Sequence, residues 1–449
     1  MAPRGISSLR VRGDAMTADI ERSHDRLARP LLPLVVGIVS LVVILYHVRS
    51  VVLDGVVGPA GDDFHFYWQA AQRFLADPTT IYEGVHDLRG FLYPPPSIVL
   101  FAPFALLPQT VACWLFRAIS LAAAVSSVEL LARIFEASGV RVRPRDRVLL
   151  ALIALATGPT YTNMVFGQVN TLVLLDCLAF RWLLERRRPA LAGAILALGV
   201  WLKVYPILCL LWVVLWERPL YDIRRMLVGY MVAFVSVPAL CLPFVPIDLY
   251  WIYLIDVLPS TIGRTFQNIL NQSLLAAAAR TAGPIADYIR WEKCDFSVLP
   301  PTWGRIVNVC FALGGVIGIG LWVRRGTQRT RMVGYLCLLS LMPIISPLGW
   351  AYVYVLALPA LLCAVQSAPR GIVIQTLVLG ACAAYFIPAT QPLRVVARLP
   401  EVLKHLVYDR YPLTATLVGS VIIWRECQAS RPFRSERKVS EESPLRRVT

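Results

Sequence analysis

Charge is scarce in this chain of 449 residues, where Asp, Glu, Lys and Arg make up 16%, against about 25% in an ordinary soluble domain. Polar stretches long enough to bury a core of their own are missing, which argues against separate soluble domains. Among ten cysteines there is no CxxC pair; most lie inside apolar runs, and Cys294 alone falls in a predicted outer loop. That argues against a disulfide framework or a cysteine-bound metal. Histidine numbers only five, and His65 and His86 are too isolated from each other to suggest a metal site. Acidic residues are outnumbered, 28 against 44 Lys and Arg. The resulting +16 is not a nucleic-acid signature, because the arginines cluster in the connections between apolar runs. No cleavage motif follows the first apolar run, so a cleaved signal peptide is not predicted. An internal repeat of the kind that marks many transporters is missing too.

What the chain has is apolar sequence: 57% hydrophobic residues, mean hydropathy +0.62, and runs of membrane-spanning length throughout. The pattern predicts an all-α polytopic membrane protein of about ten to twelve spans. Residues 1–30 read as a basic cytoplasmic segment, 31–424 as one transmembrane domain, and 425–449 as a basic cytoplasmic tail. The first span is Leu31 to Leu53. The loop from Asp54 to Tyr93 holds six acidic and two basic residues, which places it outside by the positive-inside rule. Proline stops any helix at Tyr93-Pro94-Pro95-Pro96, and the short apolar piece up to Leu107 reads as re-entrant or broken. Arg141, Arg143, Arg145 and Arg147 mark an inner connection, as do Arg186-Arg187-Arg188. Ala190 to Trp216 has basic flanks on both sides, so it must cross an even number of times. A hairpin of two short helices with Lys203 near its outer tip satisfies this. Residues 246–302 form a long outer loop, and residues 389–411, with Arg394 and Arg398, an outer segment that breaks the charge rule.

Polar residues converge on the outer edge: Asp62 and Asp63, Gln168 and Asn170, Lys203, Arg264, Asn271 and Gln272, and Arg280. Phe64, Tyr67, Ala71, Phe74 and Leu75 recur at helical spacing behind the aspartates, predicting an amphipathic helix in the membrane interface. Each polar group also has a plainer reading. One aspartate serves as a helix cap, Gln168 and Asn170 as turn residues, Lys203 as a snorkelling side chain, and the two arginines as surface. A lysine in mid-membrane costs roughly 3 kcal/mol on insertion scales, so it needs a partner or water. If the substrate is a sugar on a lipid phosphate, fixed cations grip the phosphate and one carboxylate deprotonates the attacking hydroxyl. Asp63 is then the base. Sequence-adjacent carboxylates do not oppose each other across a bond as a glycosidase pair does.

Several stretches resemble the bacterial polyprenol-phosphate-dependent mannosyltransferase family. They are Gly61-Asp62-Asp63-Phe64-x-x-Tyr67-x-x-Ala70-Ala71, Ile81-Tyr82-Glu83, Phe91-Leu92-Tyr93-Pro94-Pro95 and Phe166-Gly167-Gln168-Val169-Asn170. Ala197 to Pro206 around Lys203, Asn271-Gln272-Ser273-Leu274 and Ser346-Pro347-x-x-Trp350 follow in the same order. The resemblance implies a GT-C-type glycosyltransferase fold and an inverting, metal-independent transfer of mannose from polyprenyl phosphate. The implied acceptor is a glycolipid or glycan at the outer face of the plasma (inner) membrane, and no cofactor is implied. The family's catalytic aspartate maps to Asp63, with Asp62 beside it. Its membrane lysine maps to Lys203, joined by Arg264 or Arg280 as phosphate ligands. The family's glutamine and asparagine map to Gln168 and Asn170; with Asn271, Gln272, Tyr67 and Tyr93 they are expected to contact the sugar and acceptor. One departure is visible. Members associated with mannosyl transfer often carry histidine just after the Ser-Pro…Trp turn, where this chain has Ala351-Tyr352-Val353-Tyr354. An arabinofuranosyl or other pentosyl donor therefore stays open, as does a transporter or flippase of a lipid-linked sugar, or a structural assembly subunit.

Overall fold

The computed structural model describes residues 34–51, 62–83, 85, 90–216, 220–289, 294, 297–324, 326–367, 372–387 and 399–429. The expected segment 1–30, residues 430–449 of the tail, His86, Arg394 and Arg398 lie outside the described residues. The described chain is helical, with two isolated β-bridges, Thr265 to Val298 and Asn271 to Trp350.

Helix α1 (Leu34–Val51) precedes α2 (Asp62–Ala76), the helix expected behind the aspartates. Phe64, Tyr67, Ala71 and Phe74 share its buried face, whereas Leu75 points outward, 51% exposed. This buried face meets protein. Phe64 packs on Phe104 and Phe116, and Tyr67 on Phe101, from α3 (Ile98–Ala105) and α4 (Gln109–Ala137). Prolines set α3: a 3-10 turn over Pro95–Ser97 starts it and Pro103 lies inside its eight residues. At 1.5 Å per residue it is about 12 Å long, too short to cross a bilayer core of about 30 Å.

The next run is bent by 58° between α5 (Pro144–Ala156) and α6 (Gly158–Phe166). Thr157 is extended there (ψ 143), where Gly158-Pro159 cannot continue the ladder of α5. Gly167 closes α6 in the left-handed region, φ 67, and α7 (Asn170–Glu185) runs away from it toward Arg186-Arg187-Arg188. The predicted hairpin is present as α8 (Pro189–Leu202) and α9 (Ile207–Trp216). Lys203 reaches Asn170 at the start of α7, and Cys209 then touches Cys177 further along that helix, so the chain has doubled back. Helix α10 (Leu220–Cys241) lies against α8 with the backbones in contact. A β-carbon on Gly193 would stand 2.0 Å from the Met226 carbonyl oxygen, the close approach that small residues allow between spans.

The long loop after α10 is itself built, from α11 (Ile247–Ile252), a π-helical turn Tyr253–Val257, α12 (Leu258–Gly263), α13 (Leu274–Arg280) and α14 (Ile285–Tyr288). Helices α15 (Thr302–Arg324), α16 (Gln328–Ile345), α17 (Leu358–Ser367), α18 (Ile372–Phe386), α19 (Glu401–Tyr408) and α20 (Arg410–Ala429) complete the bundle. A 3-10 stretch, Ala351–Ala357, leads into α17.

Among the described residues four helices are long and apolar enough to cross a membrane, α1, α4, α10 and α15, or five counting the bent pair α5–α6. The hydropathy pattern predicts ten to twelve. The difference lies in broken elements: the runs around 95–105, 189–202, 351–366 and 374–386 are apolar but short. Much of α16 and of the 351–366 run is buried among other helices, where a short helix need not match the bilayer. Helices α10 and α15 carry the most exposed apolar surface, with only 11% of each apolar window buried. The protein is a multi-pass membrane protein.

Candidate active site

A cavity of about 290 Å³ opens where α2, the loop before α3, the start of α7 and the α8–α9 turn meet. Asp63, Tyr67, Tyr93, Gln168 and Lys203 line its polar side. Phe66, Leu92, Leu258 and Ile262 line an apolar side, and Tyr205, Tyr253, Trp350 and Tyr352 add aromatic rings. Five residues singled out in the sequence thus share one cavity, although they come from four parts of the chain.

Glycine brings the first two together. A β-carbon on Gly167 would sit 2.6 Å from the Phe64 β-carbon, so α2 docks against a bare backbone. The left-handed turn at Gly167 then aims Gln168 back toward the residue before Phe64. Gln168 Nε2 donates to Asp63 Oδ2 at 2.5 Å. Its Oε1 accepts from the Tyr93 hydroxyl at 3.1 Å. The Tyr93 hydroxyl lies 2.6 Å from that of Tyr67. With the Tyr93 proton committed to Gln168, Tyr67 is the donor of that pair, and every donor in the chain points toward Asp63. Tyr352 lines the same cavity, where burial pushes its phenol up and Asp63 adds to the shift. Burial pushes the Tyr67 and Tyr93 phenols up, and Asp63 adds to the shift of each, so both are neutral donors at ordinary pH.

Lys203 is held differently. Its Nζ donates to Asn170 Oδ1 at 2.8 Å, and the Tyr205 hydroxyl donates to the same oxygen at 2.9 Å. Rings of Tyr93, Tyr205 and Tyr352 stand 5.4, 5.6 and 5.9 Å from Nζ, a cation–π enclosure. Burial pulls the ammonium down to about 7, opposed by the Asp63 carboxylate. A half-buried cation with a neutral partner and an adjoining cavity suits an incoming anion.

Other expected contacts do not reach the cavity. Asn170 stands behind Lys203, fully buried, and acts as its orienter. Arg280 is fully buried and ion-paired with Asp409. Its guanidinium also donates to the carbonyls of Gln267, Asn268 and Asn271, so it organises the loop and cannot meet a donor phosphate. Asn271 Nδ2 donates to Thr265 Oγ1, the Phe266 carbonyl and the Pro347 carbonyl. Gln272 Nε2 donates to the carbonyls of Ile269 and Tyr408. Both residues pin the turn Ser346–Trp350, and neither lines the cavity. Arg264 is exposed and donates to Ser297 Oγ at 2.8 Å, while its neighbours Thr261 and Ile262 do line the cavity. The Asp62 side chain lies outside the description.

Tyr205, Tyr253, Trp350 and Tyr352 line the cavity without a role expected from the sequence. A usable signal existed for Tyr352, which stands just after the Ser-Pro…Trp turn. Among the described residues no three His, Cys, Asp or Glu side chains gather as metal ligands.

The model of glycosyltransferase family 87 matches residues 91–347, more than half of the chain. The match takes in Tyr93, Gln168, Asn170 and Lys203, with Asp63 ahead of it and Tyr352 beyond it. A polyprenol-phosphate-mannose-dependent α-(1-2)-phosphatidylinositol mannoside mannosyltransferase of Mycobacterium tuberculosis is 26% identical over 331 residues, 67% of this chain and 69% of that protein. Its namesake in Mycolicibacterium smegmatis is 27% identical over 321 residues, 66% of each chain. An α-(1→3)-arabinofuranosyltransferase of Corynebacterium glutamicum is 28% identical over 148 residues, 32% of this chain and 35% of that protein. The chain therefore spans about a third of that arabinofuranosyl relative and about two thirds of the mannosyl ones.

Proposed function

We propose a reaction for this chain, which belongs to glycosyltransferase family 87: transfer of a sugar from a polyprenyl phosphate to a hydroxyl of a glycolipid or glycan. The observation that carries this reading is Asp63, gripped by Gln168, in one cavity with the half-buried cation of Lys203. Asp63 takes the acceptor's proton as its oxygen attacks the anomeric carbon. Lys203 balances the charge that gathers on the departing phosphate. That leaving group needs no proton, so a second carboxylate is unnecessary, and attack from the opposite face inverts the anomeric centre. Because Lys203 supplies the positive charge, the reaction needs no metal on this reading. The apolar side, with Phe66, Leu92, Leu258 and Ile262, suits the first isoprene units of the lipid.

Mannose is our first choice of sugar, because relatives named for polyprenol-phosphate mannose align over about two thirds of both chains. Arabinofuranose is the second, since a relative named for it in Mycobacterium tuberculosis reaches 33% identity, though over 36% of the chain. We read the cavity as facing the outside of the plasma (inner) membrane, with both termini cytoplasmic. Helix α7 starts at the cavity with Asn170, and Arg186-Arg187-Arg188 follows its far end sixteen residues on, about 24 Å away. Arginine-rich connections stay on the cytoplasmic side.

The test is an incubation of the purified protein in lipid, with a metal chelator present. Radiolabelled polyprenyl-phosphate mannose and a membrane-glycolipid extract are supplied, beside the Asp63→Asn variant. Labelled glycolipid from the wild type and none from the variant is the expected result. Undiminished product from Asp63→Asn removes Asp63 as the base. A wild type silent with both mannose and arabinose donors moves the reading to a flippase, which would use the same rim without a base.

A further inference from the structure

Five arginines meet at the end of the bundle opposite the cavity. Arg186, Arg187 and Arg188 join α7 to α8, and Arg224 and Arg225 lie near the start of α10; all five are exposed. Two backbone contacts bring the groups together. β-Carbons on Gly193 and Gly229 would each stand 2.0 Å from a carbonyl oxygen across the α8–α10 joint, those of Met226 and Ala190. Arg188 comes two residues before Ala190, and Arg225 directly before Met226. Further along, Trp201 Nε1 donates to the Phe234 carbonyl at 2.9 Å, so the two helices run the same way and start at the same end. Among the described residues none of the five is ion-paired. Glu185 is taken by Arg181 and Gln328, which leaves Asp222 in the first turn of α10. Arg186 lies over the Trp182 ring at 5.3 Å and Arg225 over the Tyr221 ring at 4.3 Å, and such rings belong at the headgroup level of a membrane.

We propose that these five arginines bind the anionic headgroup of a phospholipid in the leaflet beside them. The backbone at Arg187 is a second support. The turn after α7 is a Schellman motif: Arg187 N–H donates to the Leu184 carbonyl at 3.1 Å, and Arg188 N–H to the Leu183 carbonyl at 2.9 Å. Its left-handed position is ordinarily glycine. Here it is Arg187, at φ 55, the one non-glycine residue with positive φ among the described residues. A guanidinium thus stands where glycine would remove strain. Guanidinium forks match the oxygens of a phosphate two at a time. A basic cluster between helices at headgroup depth suits a lipid phosphate, whose acyl chains then follow the exposed side of α10, with Val228, Val232 and Val235. An arginine run also orients a chain as it inserts, but that role uses charge alone and predicts no lipid preference in the folded protein.

The full chain in neutral detergent is titrated with phosphatidylglycerol, or with phosphatidylcholine of the same chains, and bound lipid is counted by native mass spectrometry. The wild type is expected to hold the anionic lipid at least about tenfold more tightly. Arg187→Gly and Arg225→Gln each weaken it about fivefold, the effect of one arginine at an anionic surface, and leave phosphatidylcholine unaffected. Arg187→Gly also relaxes the backbone, so its melting temperature without lipid stays at or above that of the wild type, and its loss of binding is not a loss of fold. Glycerol 1-phosphate, which offers the phosphate without the chains, is added as competitor. Equal retention of the two lipids by the wild type, or unchanged binding in both variants, overturns the proposal. Full displacement by glycerol 1-phosphate at the lipid's own concentration overturns it too, and marks a site for soluble phosphates. None of these readouts needs turnover, so they stand apart from the sugar that the cavity transfers.

Discussion

Replacing Gly167 by alanine tests the joint on which the site depends. Two penalties follow from the structure. An L-residue at φ 67 costs about 1–2 kcal/mol, and the new β-carbon meets that of Phe64 at 2.6 Å. Relief to 3.4 Å, where ordinary contact begins, moves α2 and the α6–α7 turn apart by about 0.8 Å. Asp63 and Gln168 flank that contact, so their bond opens by a similar amount. A displacement near 1 Å at a reacting group costs on the order of 10²-fold in rate. We therefore expect kcat for glycolipid formation to fall about 10²-fold in Gly167→Ala, with donor KM nearly unchanged, because Lys203 is held from Asn170 and Tyr205. Gly167→Asn separates the two penalties: asparagine tolerates the left-handed backbone but still carries a β-carbon, so it too should lose about 10²-fold. A folded Gly167→Ala protein with wild-type kcat would refute the reasoning.

Lys203 carries a pH dependence of its own. Burial pulls its ammonium down to about 7, and the ammonium form is the one that grips phosphate. Donor KM should therefore rise with pH above 7, by up to about tenfold per unit, and stay flat in Lys203→Arg, whose guanidinium keeps its proton. Arg280→Ala leaves the Asp409 carboxylate buried without its partner, so thermal or denaturant unfolding should show a loss of about 3–5 kcal/mol. Arg264→Ala, at an exposed position bonded to Ser297, should leave both unfolding and donor KM unchanged; a raised KM would return Arg264 to the phosphate site.

The residues that could be read from sequence were those whose polarity conflicts with an apolar setting. Asp63, Gln168 and Lys203 stand out against the runs around them, and all three line the cavity. Arg280, Asn271 and Gln272 stand out in the same way, yet they face one another and the backbone. A buried cation looks the same in sequence whether it awaits a ligand or is already paired, and the partner of Arg280 is 129 positions away. Tyr352 was hidden for the opposite reason: it is one of 17 tyrosines, and aromatic rings are at home in apolar runs. The helices themselves were legible from hydropathy. Their interruptions were legible where proline or the flanking charges mark them, as before α3 and at the α8–α9 turn, and not at Ala351–Ala357, where the winding tightens over seven residues that include no proline.

The bonds from Tyr67 through Tyr93 and Gln168 to Asp63 all point one way, and one link is a carboxamide. An amide nitrogen gives up no proton at ordinary pH, and its oxygen carries none onward, so the row of bonds is an insulator and not a wire. A proton that arrives on Asp63 cannot drain through it toward Tyr67. Along this row its exit is shut, and the cavity it came from is the side left open. Turnover would then acidify the compartment that the cavity faces, and a pH-sensitive dye sealed on one side of a vesicle would report which compartment that is.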